Sequence, residues 1–153
     1  MPRLLRLLVV SLLAGAALTP LALAAPTGGG QAKAAASPKL VLAGSQFGRV
    51  LFNDQGRALY AFTRDPRGRS RCSGQCAAKW PPFLVHGKVT AGPGVGASLI
   101  GTTRRRDGSL QVAYAGHPLY FYVGDPKGKL LCGNVKEFGG LWLAVAASGK
   151  PVK

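Results

Sequence analysis

The feature that most constrains the fold of this chain is a phrase that occurs twice. The two copies are LYAFTRDPRGRSRC at residues 59–72 and LYFYVGDPKGKLLC at residues 119–132. At this constant offset the two halves share glycine, leucine, aromatic, aspartate, proline and cysteine positions. The matched pairs are Gly48/Gly108, Gly56/Gly116, Leu59/Leu119, Tyr60/Tyr120, Phe62/Tyr122, Asp65/Asp125, Pro66/Pro126, Gly68/Gly128 and Cys72/Cys132, and after a shift of two residues Trp80/Trp142. Such matches indicate the duplication of a structural unit.

Each unit has the pattern of short strands joined by tight turns. Residues 50–52 and 58–62 flank a polar turn sequence, and residues 110–114 and 119–122 repeat that arrangement. Asp107-Gly108 is a strong hairpin signal between strands at 102–105 and 109–114. Further strands are predicted at 39–43 and 47–52, joined through Gly44-Ser45, and at 80–85 and 141–146. Only residues 75–79 leave room for a helical turn. The chain is therefore predicted to be all-β, with two tandem four-stranded meander repeats forming a small sandwich or barrel.

The repeated aromatic and acidic positions have a structural interpretation. Residues two apart in a strand point to the same face, so Tyr60 shares a face with Phe62, and Tyr120 with Tyr122. If that face is the core side, the four rings supply much of the buried area. Asp65 and Asp125 then begin loops, where a carboxylate commonly accepts hydrogen bonds from backbone amides. The alternative makes these two carboxylates ligands or acid–base groups.

The ends of the chain differ in composition from the repeats. Residues 1–24 combine two arginines, an apolar run and a small-residue cleavage site before Ala25, which predicts a secretory signal peptide rather than a membrane anchor. Residues 25–38 are predicted to be a flexible linker. The β domain follows at 39–147, with repeat one at 39–90 and repeat two at 97–147, and residues 148–153 form a tail. The protein is expected to be exported to the periplasm or the outside of the cell, with no transmembrane span after processing.

The charge is strongly one-sided. Lys and Arg number 20 against 5 Asp and Glu, which gives a net charge of +15. Such a surface attracts polyanions, although a solvated surface that only maintains solubility is the plain alternative. Export makes nucleic acid an unexpected partner, so the hypothesis is contact with anionic envelope lipid or polymer, with peripheral membrane contact. The clustered basic residues are Arg64, Arg67, Arg69, Arg71, Arg104, Arg105, Arg106, Lys127 and Lys129.

The duplicated motif also carries a family resemblance. Residues 60–65 and 120–125 both fit Tyr-x-aromatic-x-x-Asp, the first copy continues as GRSRCSGQCAAKWPPFLV, and the second ends with NVKEFGGLW. In this combination the chain resembles bacterial secreted repeats described as predicted lipoproteins with that motif. The resemblance covers about residues 41–145 and implies the fold and export, but no activity. The chain has no lipidation cysteine near the cleavage site, and Cys132 departs from the family pattern.

The three cysteines are the best candidates for chemistry. Loop entropy by itself does not choose the local pair, because a Cys72–Cys76 bridge is worth about 2 kcal/mol and a Cys72–Cys132 bridge about 4. The family pattern implies the local pair, since Cys72 and Cys76 occur there together in one repeat. Cys132 is then a free thiol or forms an intermolecular bridge. The alternative is a redox-active dithiol, or a soft metal ion bound by Cys72, Cys76 and His117.

No catalytic signature accompanies these features. The chain lacks Gly-x-Ser-x-Gly, His-Glu-x-x-His and a phosphate-binding loop. The sequence therefore predicts a non-enzymatic binding or structural module of the cell envelope without a cofactor. The alternative function is a metal- or redox-handling periplasmic protein that uses the Cys72/Cys76 pair.

Overall fold

The computed structural model describes residues 37–153. The predicted signal peptide and nearly all of the predicted linker lie outside this range. Within it one short helix, α1, spans Gln75–Lys79, and a 3₁₀ turn spans Ala97–Leu99. The strands are β1 Lys39–Ser45, β2 Gly48–Asn53, β3 Tyr60–Phe62, β4 Leu84–Val85, β5 Thr90–Ala91, β6 Ile100–Arg104, β7 Leu110–Tyr114, β8 His117–Pro118, β9 Val135–Glu137, β10 Gly140–Val145 and β11 Pro151–Val152. The predicted all-β sandwich fold of two repeats is confirmed.

The first sheet belongs to repeat one. β1 pairs antiparallel with β2 and parallel with β5. The β1–β2 turn lies at Gln46-Phe47, because Ser45 is paired with Gly48, whereas the sequence placed it at Gly44-Ser45. The Ser45 hydroxyl stabilises this turn by accepting the Phe47 amide at 3.1 Å and donating to the Gly48 carbonyl at 2.8 Å.

The other two sheets contain strands of both repeats. In the second sheet β10 of repeat two lies between β3 of repeat one and β11, and it also pairs with β9. In the third sheet β7 of repeat two pairs with β4 of repeat one, with β6 and with β8. The β6–β7 hairpin closes at the predicted Asp107-Gly108 turn, where Gly108 has a φ of 84°. The repeats are therefore interlocked rather than packed as two separate meanders.

A pseudo-twofold relation between the repeats is visible in their backbone hydrogen bonds. The Tyr60 and Tyr120 amides each donate to the other's carbonyl at 2.9 Å. The Gly68 amide donates to the Gly116 carbonyl at 2.7 Å, and the corresponding bond from Gly128 to Gly56 has the same length. The axis thus passes between Tyr60 and Tyr120, at the start of the repeated phrase.

The core has two parts, one on each face of the central strands. Leu51 and Ala61 belong to one cluster, whereas their neighbours Val50, Tyr60 and Phe62 belong to the other. All these residues are buried. Burial on both faces explains why β2 and β3 are continuous apolar runs rather than alternating ones.

Three predicted segments differ from the structure. Of the strand expected at 80–85 only β4 forms, because Pro81 and Pro82 have no amide hydrogens to donate to a ladder. Instead of a strand at 119–122 there are isolated bridges from Tyr120 to Tyr60 and Pro82. Residues 148–153 were predicted to be a tail, but β11 lies within them and pairs with β10.

Candidate functional site

The repeated tyrosines and aspartates are joined across the two repeats. The Tyr60 hydroxyl donates to Asp125 Oδ2 at 2.5 Å, and the Tyr120 hydroxyl donates to Asp65 Oδ2 at 2.5 Å. The other oxygen of each carboxylate accepts a hydrogen bond from a backbone amide of its own loop. Asp65 Oδ1 accepts the Arg71 amide at 2.7 Å, and Asp125 Oδ1 accepts the Leu131 amide at 3.0 Å. Each carboxylate therefore ties its own Asp-Pro loop to the core tyrosine of the other repeat.

The protonation of these groups suits that structural role. Burial, followed by the adjacent carboxylates, raises the pKa of Tyr60 and of Tyr120, so both hydroxyls stay protonated donors at neutral pH. Burial also raises the pKa of Asp65, against the opposing effects of the Tyr120 hydrogen bond and the Arg71 amide. Because both carboxylate oxygens of Asp65 and of Asp125 accept internal hydrogen bonds, these two aspartates are poorly placed to exchange protons with a substrate.

The aromatic residues form a stack through the middle of the molecule. The rings of Phe62, Trp142, Trp80 and Tyr122 follow one another in that order. The distances between successive ring centroids are 4.2, 4.1 and 4.7 Å. Tyr60 meets Trp80 edge-on, and Tyr120 meets Trp142 in the same way. Three of the repeated rings are buried and Tyr122 is half-buried. The rings of the repeated motif thus form a large part of the core.

The related tryptophans differ in their hydrogen bonding. Trp80 Nε1 donates to Glu137 Oε2 at 2.9 Å, and Lys79 Nζ lies 2.5 Å from the other oxygen of that carboxylate. The bond from Lys79, and to a smaller extent the bond from Trp80, lowers the pKa of Glu137. Trp142 Nε1 is buried without an acceptor among residues 37–153. This difference could not be read from the sequence, because the two tryptophans occupy matched positions.

Five of the nine predicted basic residues line one cleft. A concavity of about 490 Å³, named the arginine cleft here, lies between the first Asp-Pro loop and the β6–β7 turn. Its lining residues are Arg64, Arg69, Ser70, Arg71, Cys72, Ser73, Arg105, Arg106 and Asp107. Five of the predicted polyanion-binding residues are thus brought together around a single acidic side chain.

The remaining basic residues of that prediction do not line the arginine cleft. The Arg67 guanidinium packs over Gly116, and Arg104 Nη1 donates to the Gly108 carbonyl at 2.8 Å. Lys127 and Lys129 are exposed on the second Asp-Pro loop, where the Lys127 side chain lies next to Gly56. The basic surface is therefore divided, with its concave part around the first loop.

Arg105 is the one arginine of the cleft whose side chain is buried, at 7% exposure. Its Nη1 donates to Ser70 Oγ at 2.8 Å and to Gln111 Oε1 at 2.7 Å, and its Nη2 donates to the Cys72 carbonyl at 2.7 Å. These bonds hold a positive charge in one orientation. The sequence analysis grouped Arg105 with Arg104 and Arg106 as one basic cluster. The burial of Arg105 could have been predicted from strand alternation, because a residue two positions after the buried Thr103 points to the same side.

The cysteines adopt the predicted local pairing. Cys72 and Cys76 form a disulfide with a Cα–Cα distance of 5.3 Å, and both residues are buried. Cys132 is free and half-buried, and burial raises the pKa of its thiol. Within residues 37–153 no three His, Cys, Asp or Glu side chains are arranged to hold a metal ion, so Cys72, Cys76 and His117 do not form such a cluster.

Comparisons with known proteins identify the family. A family model described as a secreted repeat of unknown function matches residues 42–83 and 101–146, one stretch in each repeat. No curated protein and no solved structure matches the chain. In the described part of the chain, no helix is long and apolar enough to cross a membrane. The two matched stretches coincide with the interlocked halves of the fold, and the chain therefore belongs to the family of secreted repeats of unknown function.

Proposed function

We propose that this protein is a non-enzymatic binding module of the cell envelope, acting in the periplasm or outside the cell, whose arginine cleft binds an anionic lipid headgroup or polymer. The observation that carries the proposal is the convergence of five arginines on one concavity that contains a single carboxylate. The net charge of +15 adds a long-range attraction for the same class of partner.

The chemistry of the cleft supports an oxyanion ligand. All of its cationic side chains are arginines, whose planar guanidinium groups form paired hydrogen bonds with phosphate and carboxylate oxygens. Arg69, Arg71 and Arg106 are exposed and accessible to a ligand, and Arg64 is exposed with its Nη1 bonded to the Phe138 carbonyl at 3.1 Å. Arg105, in contrast, is oriented by buried partners before any ligand arrives. A fixed charge surrounded by adaptable ones suits the recognition of an anionic group.

We do not extend the proposal to metal or redox handling by Cys72 and Cys76. Their sulfur atoms are bonded to each other, and both residues are buried. A thiolate ligand or an attacking thiol would first require reduction of this bridge.

The test compares two double variants with the same loss of charge. Arg69→Gln/Arg71→Gln removes two exposed charges from the cleft, whereas Lys127→Gln/Lys129→Gln removes two from the corresponding loop of repeat two. Binding is measured to phosphatidylglycerol vesicles and to poly(glycerol phosphate). A basic residue near an anionic surface contributes about 1 kcal/mol, so the cleft variant is expected to bind about 25-fold more weakly than the wild type. The control variant should lose less than about threefold.

Salt provides the second measurement. Screening shortens the Debye length from about 10 Å at 0.1 M salt to about 3 Å at 1 M, so retention on both probes should fall steeply over this range. Retention that is unchanged at high salt, absence of retention by the wild type, or equal losses in the two double variants would each contradict the proposal.

A further inference from the structure

One nitrogen of the Arg105 guanidinium, Nε, makes no hydrogen bond within the described part of the chain. The Nη1 and Nη2 groups of Arg105 are bonded to Ser70, Gln111 and Cys72, but Nε is buried and has no hydrogen-bond acceptor among residues 37–153. A buried, unpaired donor is costly in a folded protein, and more so when it belongs to a charged group. Because Arg105 lines the arginine cleft, an acceptor from a ligand is the partner that this N–H lacks.

The carboxylate of Asp107 stands close to this donor without bonding to it. Asp107 Oδ2 lies 3.7 Å from Arg105 Nε, which exceeds hydrogen-bond distance. The other oxygen, Oδ1, is held by the Ser109 amide at 3.0 Å and hydroxyl at 2.6 Å. The Asp107 side chain is 65% exposed, at the tip of the β6–β7 turn. It is therefore an exposed anion beside the buried guanidinium of Arg105.

We propose that a phosphate group of the ligand takes the place of the Asp107 carboxylate beside Arg105 and accepts its Nε–H, so that Asp107 acts as an internal competitor that sets the affinity of the arginine cleft. This inference rests on the proposed function, because it assumes that an anion enters the cleft. A phosphate is favoured over a carboxylate since its additional oxygens can bond to the exposed Arg69 and Arg71 while one accepts from Arg105.

The decisive variant is Asp107→Asn. It removes the competing charge but leaves an amide oxygen for Ser109, and Asn-Gly supports the same tight turn as Asp-Gly. The matched control is Asp54→Asn, which changes the net charge by the same amount at an exposed residue outside the cleft. Affinity for poly(glycerol phosphate) should rise about fivefold in Asp107→Asn, the scale of an exposed ion pair, and less than about twofold in Asp54→Asn.

Two further probes identify the source and chemistry of the anion. Phosphatidylglycerol vesicles present the phosphate on a lipid. If the affinity of Asp107→Asn rises only for these vesicles, the site is assigned to lipid headgroups. If it rises only for poly(glycerol phosphate), the site is assigned to wall phosphate. Polygalacturonate presents carboxylates. A gain in Asp107→Asn with polygalacturonate but with neither phosphate probe would overturn the assignment to phosphate.

A direct readout comes from the Nε–Hε NMR signal of Arg105 in the wild-type protein. Titration with the phosphate probe that binds should shift this signal saturably, while that of Arg57, which packs over the Phe121 ring outside the cleft, stays in place. If the wild type binds neither phosphate probe, the proposed function itself fails. If it binds but Asp107→Asn and Asp54→Asn behave alike and the Arg105 signal does not move, only this inference is wrong.

Discussion

At the scale of single residues, the repeated phrase is explained by exchange between its copies. Tyr60 requires the aspartate of the second phrase, and Tyr120 requires that of the first. Neither copy can satisfy its own tyrosine and aspartate in this way, so the phrase has to occur twice. The aspartates also cap their own loops, and the tyrosine rings meet the edges of the aromatic stack.

Replacing one of these hydroxyls should therefore be costly. Tyr120→Phe keeps the ring but removes the hydroxyl's bonds to Asp65 and to Ser70 Oγ, of which the bond to the charged group alone contributes about 1.5–3 kcal/mol. We expect the free energy of unfolding in urea to fall by about 2 kcal/mol. Tyr122→Phe is the control, because its hydroxyl makes no bond to a carboxylate within residues 37–153, and it should cost less than about 0.5 kcal/mol. Equal losses in the two variants would argue against the crossed pairs.

At the scale of elements, local sequence predicted those parts that local interactions determine. The hairpin at Asp107-Gly108 and the helical turn Gln75–Lys79 lie where they were expected, because a tight turn or a single helical turn is specified by neighbouring residues. The strand predicted at 80–85 is mostly absent, since its prolines outweigh the apolar pattern. β11 was not predicted because its two residues, Pro151 and Val152, carry no strand pattern of their own and are strand residues only by pairing with β10.

The disulfide next to α1 should add stability on the scale of a short closed loop. Replacing both partners, in Cys72→Ala/Cys76→Ala, is expected to lower the free energy of unfolding by about 2 kcal/mol through loop entropy. The control Cys132→Ala, which leaves the bridge intact, should cost less. A thiol titration of the unfolded, non-reduced protein checks the pairing independently and should detect the single Cys132 thiol. Detection of three thiols would show that the bridge is absent.

At the scale of the whole molecule, the repeats form one cooperative unit. β3 of repeat one lies beside β10 of repeat two, and β4 of repeat one lies beside β7 of repeat two. The aromatic stack crosses the same boundary at the Trp80–Trp142 contact. Most of the core therefore exists only when both repeats are present, in contrast to solenoid repeats that each contact only their neighbours.

Division of the domain tests this interdependence. Fragments 37–93 and 94–153, cut in the turn after β5, should each lack the near-ultraviolet circular dichroism of the stacked tryptophans. Mixed in equal amounts, the fragments are expected to recover that signal, because the shared sheets can then form. A fragment that folds cooperatively by itself would contradict the account of interlocked repeats.

The sequence alone determined the duplication, the all-β class and the basic charge, because these depend on residue identity, spacing and turn chemistry. Tertiary structure decided which repeat each strand and each tyrosine pairs with, since hydrogen bonds between residues far apart in the chain leave no local pattern. It also decided which basic residues meet. Arg105 and Arg69 are brought to one cleft, whereas Lys129, the counterpart of Arg69 in repeat two, does not line it, because the β6–β7 hairpin meets only the first Asp-Pro loop there.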